Sequence, residues 1–297
     1  MRLLVTGASG FIGAPLLVAA CAAYGTDKVL AFSTRPTSLC PSILYRNPYD
    51  FGLAAEDLEL LASVDVLIHA GAFIPKNGQE VNDLTGCNSN IAFTSQLLKL
   101  PMPRLRKILY LSTVDVYEPV ELISESTPTL PGTLYGHSKL YCEKMVDCFA
   151  AQNNIASQIL RISHVYGPGE EKFAKFMPKA IQDIITDKGI ELWGDGSETR
   201  SFIYIGDVVT AILNAVALQD NVGVINIASA HSISIRQLAE QLIAISGKPV
   251  KIRIKECNVP SRSYRFDPGK MQAYLLARET DFTVGLTTEY NYIKSLG

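Results

Sequence analysis

Neither sign of charge dominates this chain: 27 lysines and arginines face 29 aspartates and glutamates, a formal net charge of −2 over 297 residues. Without a basic excess there is no electrostatic footprint for a polyanion, so nucleic acid is excluded as an expected partner. Histidine is scarce, at four, and the six cysteines (Cys21, Cys40, Cys87, Cys142, Cys148 and Cys257) include no Cys-x-x-Cys pair. That pattern excludes a zinc ribbon or a disulfide scaffold and leaves reduced, mostly buried thiols as the expectation, with no metal site. Long hydrophobic runs are missing too. The apolar start, Met1–Val5, breaks at Gly7, too short for a signal-peptide core or a membrane span, so a cytoplasmic protein with no membrane partner is expected. No internal repeat or low-complexity linker interrupts the chain, and its 47% of hydrophobic residues can bury a substantial core.

What is present begins at the N-terminus. Leu3-Leu4-Val5 runs into Thr6-Gly7-Ala8-Ser9-Gly10-Phe11-Ile12-Gly13 and then into an apolar stretch, Ala14–Ala23. This reads as a buried strand, a glycine turn and a helix start, the arrangement that seats a dinucleotide pyrophosphate on a helix N-terminus. Gly7 can take the angles of a tight turn, Gly10 lets main chain approach the phosphates, and Gly13 lets helix and strand pack closely. Gly7, Ser9, Gly10, Phe11, Ile12 and Gly13 are therefore the expected cofactor contacts of this loop. The second strand, Lys28–Phe32, lacks the acid that would hold a ribose diol and ends instead in Ser33-Thr34-Arg35. A guanidinium beside two hydroxyls suits a 2′-phosphate, which makes NADP the expected cofactor and NAD the alternative.

Farther along, Val64–Ala72 reads as a buried strand ending in Ala70-Gly71-Ala72, small enough for the backbone to lie against the cofactor, with His69 a structural histidine. The polar stretch 73–88 is expected as a loop over the site, offering Lys76 as a candidate substrate contact. Lys107–Ser112 is another buried strand, and Thr113 at its end can reach a substrate carbonyl or alcohol. Tyr135-Gly136-His137-Ser138-Lys139 then opens a helix, with Tyr135 and Lys139 four residues apart on one face. A phenol with a pKa of about 10 needs a nearby cation to exchange protons near neutrality, and Lys139 is placed to supply it.

Together these motifs resemble the extended branch of the short-chain dehydrogenase/reductases. The resemblance continues through Leu160-Arg161-Ile162-Ser163-His164-Val165-Tyr166-Gly167-Pro168-Gly169 and through Gly194-Asp195-Gly196, Arg200, Phe202, Tyr204 and Asp207. It implies an α/β fold, a Rossmann-type doubly wound parallel sheet with a smaller C-terminal substrate domain. Residues 1–165 with 203–228 would form the NADP-binding part, and 166–202 with 229–297 the small domain. It further implies Tyr135 as acid/base, Thr113 orienting the substrate oxygen, Lys139 on the nicotinamide ribose, Asn90 holding the central helix in register, and Arg200 on a diphosphate. His164 stands where relatives carry a substrate-side asparagine. Arg262 lies near the place of a second phosphate-binding arginine, with Arg265 its competitor. Sugar-nucleotide dehydratases of this group carry Thr-Asp-Glu-x-Tyr where this chain has Thr113-Val114-Asp115-Val116-Tyr117, so the elimination acid is lost at Val114 while Asp115 keeps the place of the base. Asp207 is expected to cap the helix 208–217.

The implied activity is NADP(H)-dependent reduction of the 4-keto group of a nucleoside-diphospho-(6-deoxy)hexose by a homodimer. The alternatives are a nucleotide-sugar 4-epimerase with tightly held NAD and, from another class, a noncatalytic cofactor-sensing protein.

Overall fold

The computed structural model describes residues 1–219, 221–256 and 263–297. In chain order its elements begin with β1 (Leu3–Thr6), α1 (Gly13–Tyr24), β2 (Val29–Ser33), β3 (Ser42–Leu44), α2 (Ala55–Leu61), β4 (Val66–His69), α3 (Leu84–Leu98) and β5 (Lys107–Thr113). They continue with β6 (Leu122–Ile123), α4 (Leu134–Asn153), β7 (Ala156–Ile162), β8 (His164–Tyr166), α5 (Phe176–Ile185), β9 (Ile190–Trp193), β10 (Thr199–Tyr204) and α6 (Ile205–Ala217). The last are β11 (Ile225–Ile227), β12 (Ser232–Ser234), α7 (Ile235–Ser246), β13 (Ile252–Lys255), β14 (Arg265–Phe266), α8 (Gly269–Tyr274) and α9 (Phe282–Ser295).

Seven strands form one sheet in the order β11-β7-β5-β4-β1-β2-β3, with every pairing parallel. Strands buried on both faces read as continuous apolar runs, and β1 shows how the faces divide. Leu3 and Val5 join Leu16, Leu17 and Ile212 on one side, whereas Leu4 joins Leu30, Phe32, Leu97 and Cys142 on the other. The chain runs from β1 out to β3 and returns to β4 on the opposite flank, so the strand order reverses at β1. The carboxyl ends of the strands beside such a reversal open the crevice where ligands bind in doubly wound sheets. A third apolar cluster, including Met177, Ile181, Leu238, Leu242, Leu286 and Ile293, joins α5, α7 and α9.

Several local expectations need correction. The stretch expected as a loop to residue 88 ends at Asp83, whose side chain accepts the Gly86 N–H and starts α3 at Leu84. Asp207 does not cap α6. Its carboxylate accepts the Thr280 N–H at 2.9 Å and the Thr280 hydroxyl at 2.8 Å, tying α6 to the approach of α9. Ser234 and Gln237 do form the expected capping box on α7. Cys21, Cys87 and Cys142 are buried, but Cys40 is half-buried and Cys148 sits on the exposed face of α4; Cys257 lies outside the described residues. No helix among the described residues is long and apolar enough to cross a membrane.

Candidate active site

The glycine loop is a stack of main chain on main chain. Gly7 has a φ of 65°, and a Cβ placed there would fall 2.7 Å from the Cα of Gly71; one on Gly13 would fall 2.0 Å from the Gly7 carbonyl oxygen. Neither position accepts a side chain, so β1, the first turn of α1 and the 70–72 segment meet with bare backbone at the crevice. That bare surface at the start of α1 fits a dinucleotide pyrophosphate. Beneath it His69 is buried and neutral in character, since burial first and Lys139 second hold its pKa well below the ordinary value. Its Nδ1 meets Thr6 Oγ1 and its Nε2 meets Thr94 Oγ1, each at 3.0 Å, and Thr6 Oγ1 accepts the Gly71 N–H. The histidine is thus a brace for the loop.

On one flank of the loop, Ser9, Ser33, Arg35 and Thr37 line a groove with Ala8 and Pro15. Thr34 and Arg35 are exposed, whereas Ser33 is buried and donates its hydroxyl to the Arg35 carbonyl. On the other flank opens a cleft of about 350 Å³, lined by Phe11, Ile12, Ala70, Ala72, Lys76, Thr113, Asp115, Tyr135, Lys139, His164 and Lys175, among others. The two hollows lie on either side of the glycine loop, the disposition needed for a molecule with an adenosine at one end and a reacting ring at the other.

Tyr135 reaches the cleft because α4 starts against the end of β5. Thr133 caps that helix by accepting the Gly136 N–H at 3.1 Å, and a Cβ on Gly136 would fall 2.5 Å from the Asp115 carbonyl oxygen, so only glycine lets the turn sit so close. The phenol faces Thr113. Burial and then the Asp115 carboxylate raise the Tyr135 pKa, and the hydrogen bond with Thr113 partly offsets them. Asp115 is exposed to the cleft, and partial desolvation there raises its carboxyl against a lowering hydrogen bond from Thr113. Lys139 donates to the Leu111 carbonyl at 2.7 Å and lies 4.4 Å above the Tyr110 ring. Burial brings its pKa down to about 8. Asn90 accepts the Phe73 N–H at 2.7 Å and donates to Ser138 Oγ at 3.2 Å, joining the segment after β4 to α3 and α4.

His164, on β8, also lines the cleft. Burial, then Lys175 and Arg200, lower its pKa to about 4, which leaves it an uncharged ring at neutral pH with Nδ1 unpartnered among the described residues. The ring stacks on Tyr264 at 6.3 Å, and Arg200 covers the same tyrosine at 4.9 Å while donating to the Thr199 carbonyl at 3.0 Å. Lys76 is exposed on the rim, with its N–H bonded to Glu80. Arg262 lies outside the described residues. Its competitor Arg265 pairs with Glu121 at 2.7 Å on the surface. The sequence reading passed over Lys175, a single lysine just before α5 with no motif around it.

A parallel doubly wound sheet, a glycine loop at its strand-order reversal, and Tyr135, Thr113 and Lys139 gathered beside it define an enzyme of the short-chain dehydrogenase/reductase type. The chain belongs to the NAD dependent epimerase/dehydratase family, whose model matches residues 3–228. It is similar along its whole length to YtcB of Bacillus subtilis (strain 168), described as an uncharacterized UDP-glucose epimerase. They are 28% identical over 314 residues, covering 100% of this chain and 99% of the relative. It is 26% identical over 227 residues to the dTDP-glucose 4,6-dehydratase of Mycolicibacterium smegmatis, covering 71% of this chain and 67% of that one. Among solved structures, UDP-glucuronic acid 4-epimerase from Bacillus cereus in complex with NAD superimposes with a TM-score of 0.84 at 28% identity, covering 100% of this chain and 99% of that chain.

Proposed function

We propose that this protein is a nucleoside-diphospho-sugar 4-epimerase that keeps its NAD through turnover. The observation that carries the reading is the cleft in which Thr113 and Tyr135 face each other beside Lys139, on a chain that matches an NAD-bound 4-epimerase from end to end. Gly7, Gly10, Gly13 and the 70–72 segment would hold the dinucleotide, and Lys139 its nicotinamide ribose. When bound, that cofactor supplies the site that takes up and returns a hydride.

The protein's own part is proton handling and orientation. Tyr135 takes the proton of the sugar 4-hydroxyl and gives it back to the same oxygen after the ring has turned its other face to the cofactor, while Thr113 fixes that oxygen by a hydrogen bond. The raised affinity of Tyr135 for its proton favours the return step, and the neutral His164 can hydrogen-bond the substrate without adding charge. Val114 has no proton to give, which speaks against elimination of water as the chemistry of this site.

The test is to denature the purified protein, identify the released nucleotide, and incubate fresh protein with UDP-glucose and with UDP-glucuronic acid. Expected are NAD in the released fraction and a 4-epimer of at least one sugar, with no net change in nicotinamide absorbance. Stoichiometric oxidation of NADPH by a 4-keto-6-deoxy sugar nucleotide, without epimer formation, would transfer the assignment to a ketoreductase.

That second reading, with NADP as cofactor, has one observation in its favour. Arg35 lines the groove beside Ser9, and no acid stands at the end of β2. The NAD held by the related epimerase lends no support to an NADP preference. The two readings separate on titration of both cofactors. For the epimerase, NAD binds at least as tightly as NADP, and Arg35→Ala leaves NAD affinity within about twofold, as for an exposed side chain. An NADP advantage of about 1–3 kcal/mol that disappears in Arg35→Ala is expected only of the reductase.

A further inference from the structure

The least ordinary side chains of the molecule lie outside the tyrosine set, where the segment after β8 passes between the cleft and α9. Glu289, on α9, is fully buried, and Glu170 is 2% exposed. The two carboxyls face each other, yet among the described residues neither oxygen of Glu289 nor Oε2 of Glu170 has a donor in good hydrogen-bond geometry. The other oxygen of Glu170 holds Lys175 Nζ at 2.9 Å, and the same ammonium donates to the Val165 carbonyl at 3.3 Å. Lys175 also lies 5.9 Å from the Phe11 ring and 5.2 Å from the Phe173 ring, on the wall of the cleft. Tyr166, Tyr204 and Asp207 surround this pair from the α6 side, with the Gly167 amide beside Glu289; His164 and Arg200 stand on the Lys175 side.

Two facing carboxylates withdrawn from water cannot both stay charged beside a single lysine. Burial, and then the charge of Glu170, push the Glu289 carboxyl up to about 9, so at neutral pH Glu289 carries the proton. Protonated, it can donate to Glu170, whose other oxygen holds Lys175. An ammonium has three donors; two are directed at Glu170 and Val165, and the third can meet an oxygen in the cleft.

We propose that Glu170 and Glu289 share one proton and act as positioning residues, holding the Lys175 ammonium at the cleft wall as a binding group for phosphate oxygens. The source of the phosphate rests on the epimerase reading. Lys175 lies between Phe11 of the glycine loop and the Tyr135 cleft, within the province of the dinucleotide and of the sugar nucleotide alike. Ionisation of Glu289 adds a second carboxylate that competes for the ammonium and draws it inward, so phosphate binding weakens as pH passes about 9.

Two measurements test this. A carboxyl whose folded pKa is raised above its unfolded value binds its proton more tightly when folded. Its contribution to stability is therefore constant below the unfolded pKa and falls as pH rises from there to about 9. Glu289→Gln cannot ionise, so its Tm relative to the wild type should climb between about pH 6 and about pH 9, and Glu289→Met, equally unable to ionise, repeats the measurement. A Tm difference independent of pH overturns the shared proton. In the second measurement UDP and NAD are titrated separately into wild type, Lys175→Met and Glu289→Gln at about pH 7 and about pH 9.5. Lys175→Met should weaken one of the two ligands by about tenfold or more, which identifies the source of the phosphate. For that ligand the wild type should lose affinity between the two pH values, and Glu289→Gln should lose less. If Lys175→Met binds both ligands as the wild type does, the anion-binding role is overturned. Failure of UDP to bind the wild type at all counts against the epimerase reading, while the NAD titration and the Tm series still judge the pair.

Discussion

Tyr135→Phe is expected to lower turnover by on the order of 10²–10⁴ while leaving the fold and the binding of cofactor nearly intact. The phenol is almost wholly buried at the start of α4, so removing one oxygen changes little of its packing. What disappears is the hydroxyl that faces Thr113 across the cleft from the helix pressed against Asp115. Steady-state rates with the sugar nucleotide, together with cofactor titration and circular dichroism of the same preparation, check the expectation. A variant that keeps most of its activity would place the proton transfer elsewhere, with Asp115 the first residue to examine, since it opens on the same cleft.

The second large effect is on stability. Arg161, on β7, and Glu143, on α4, are both buried and joined by two hydrogen bonds, Nε to Oε1 at 3.0 Å and Nη2 to Oε2 at 2.7 Å. Ser112, just before Thr113, donates to the same carboxylate, and the guanidinium lies 4.5 Å from the Tyr117 ring, whose hydroxyl bonds Asn226 of β11. The pair therefore clamps the strand end that carries Thr113 to the helix that carries Tyr135. Glu143→Ala strands a buried guanidinium, and a loss of about 3–5 kcal/mol is expected. The double variant Glu143→Leu, Arg161→Met removes both charges and should recover much of that loss, because the desolvation cost goes with them. Urea unfolding midpoints measure both. A single-variant loss under about 1 kcal/mol would mean that Arg161 finds water or another partner, and the clamp would lose its support.

The parts of this protein that could be read from the chain are those whose physics is local. The strand Leu3–Thr6, the turn at Gly7 and the close packing at Gly13 follow from sterics within a few residues, and the structure shows Gly13 pressed onto the Gly7 carbonyl. The spacing of Tyr135 and Lys139 on one helix face and the Ser234–Gln237 capping box are likewise set by helix geometry. The parallel sheet was legible because strands covered on both faces must be apolar throughout. Partner choice was not legible. Asp207 looks like a helix cap from its neighbours, yet it serves a threonine 73 residues farther on. Arg161 and Glu143 give no sign in sequence that they will share one buried bridge. The spacing sets Lys139 one turn from Tyr135, but the Leu111 carbonyl that receives its ammonium is brought there only by the packing of α4 on β5. The carboxyl of Glu289 reads as one more charge on a C-terminal helix until α9 packs against the turn after Gly167. Only that packing strips away the water and leaves it facing Glu170, because desolvation is a property of the assembled interior and not of any stretch of chain.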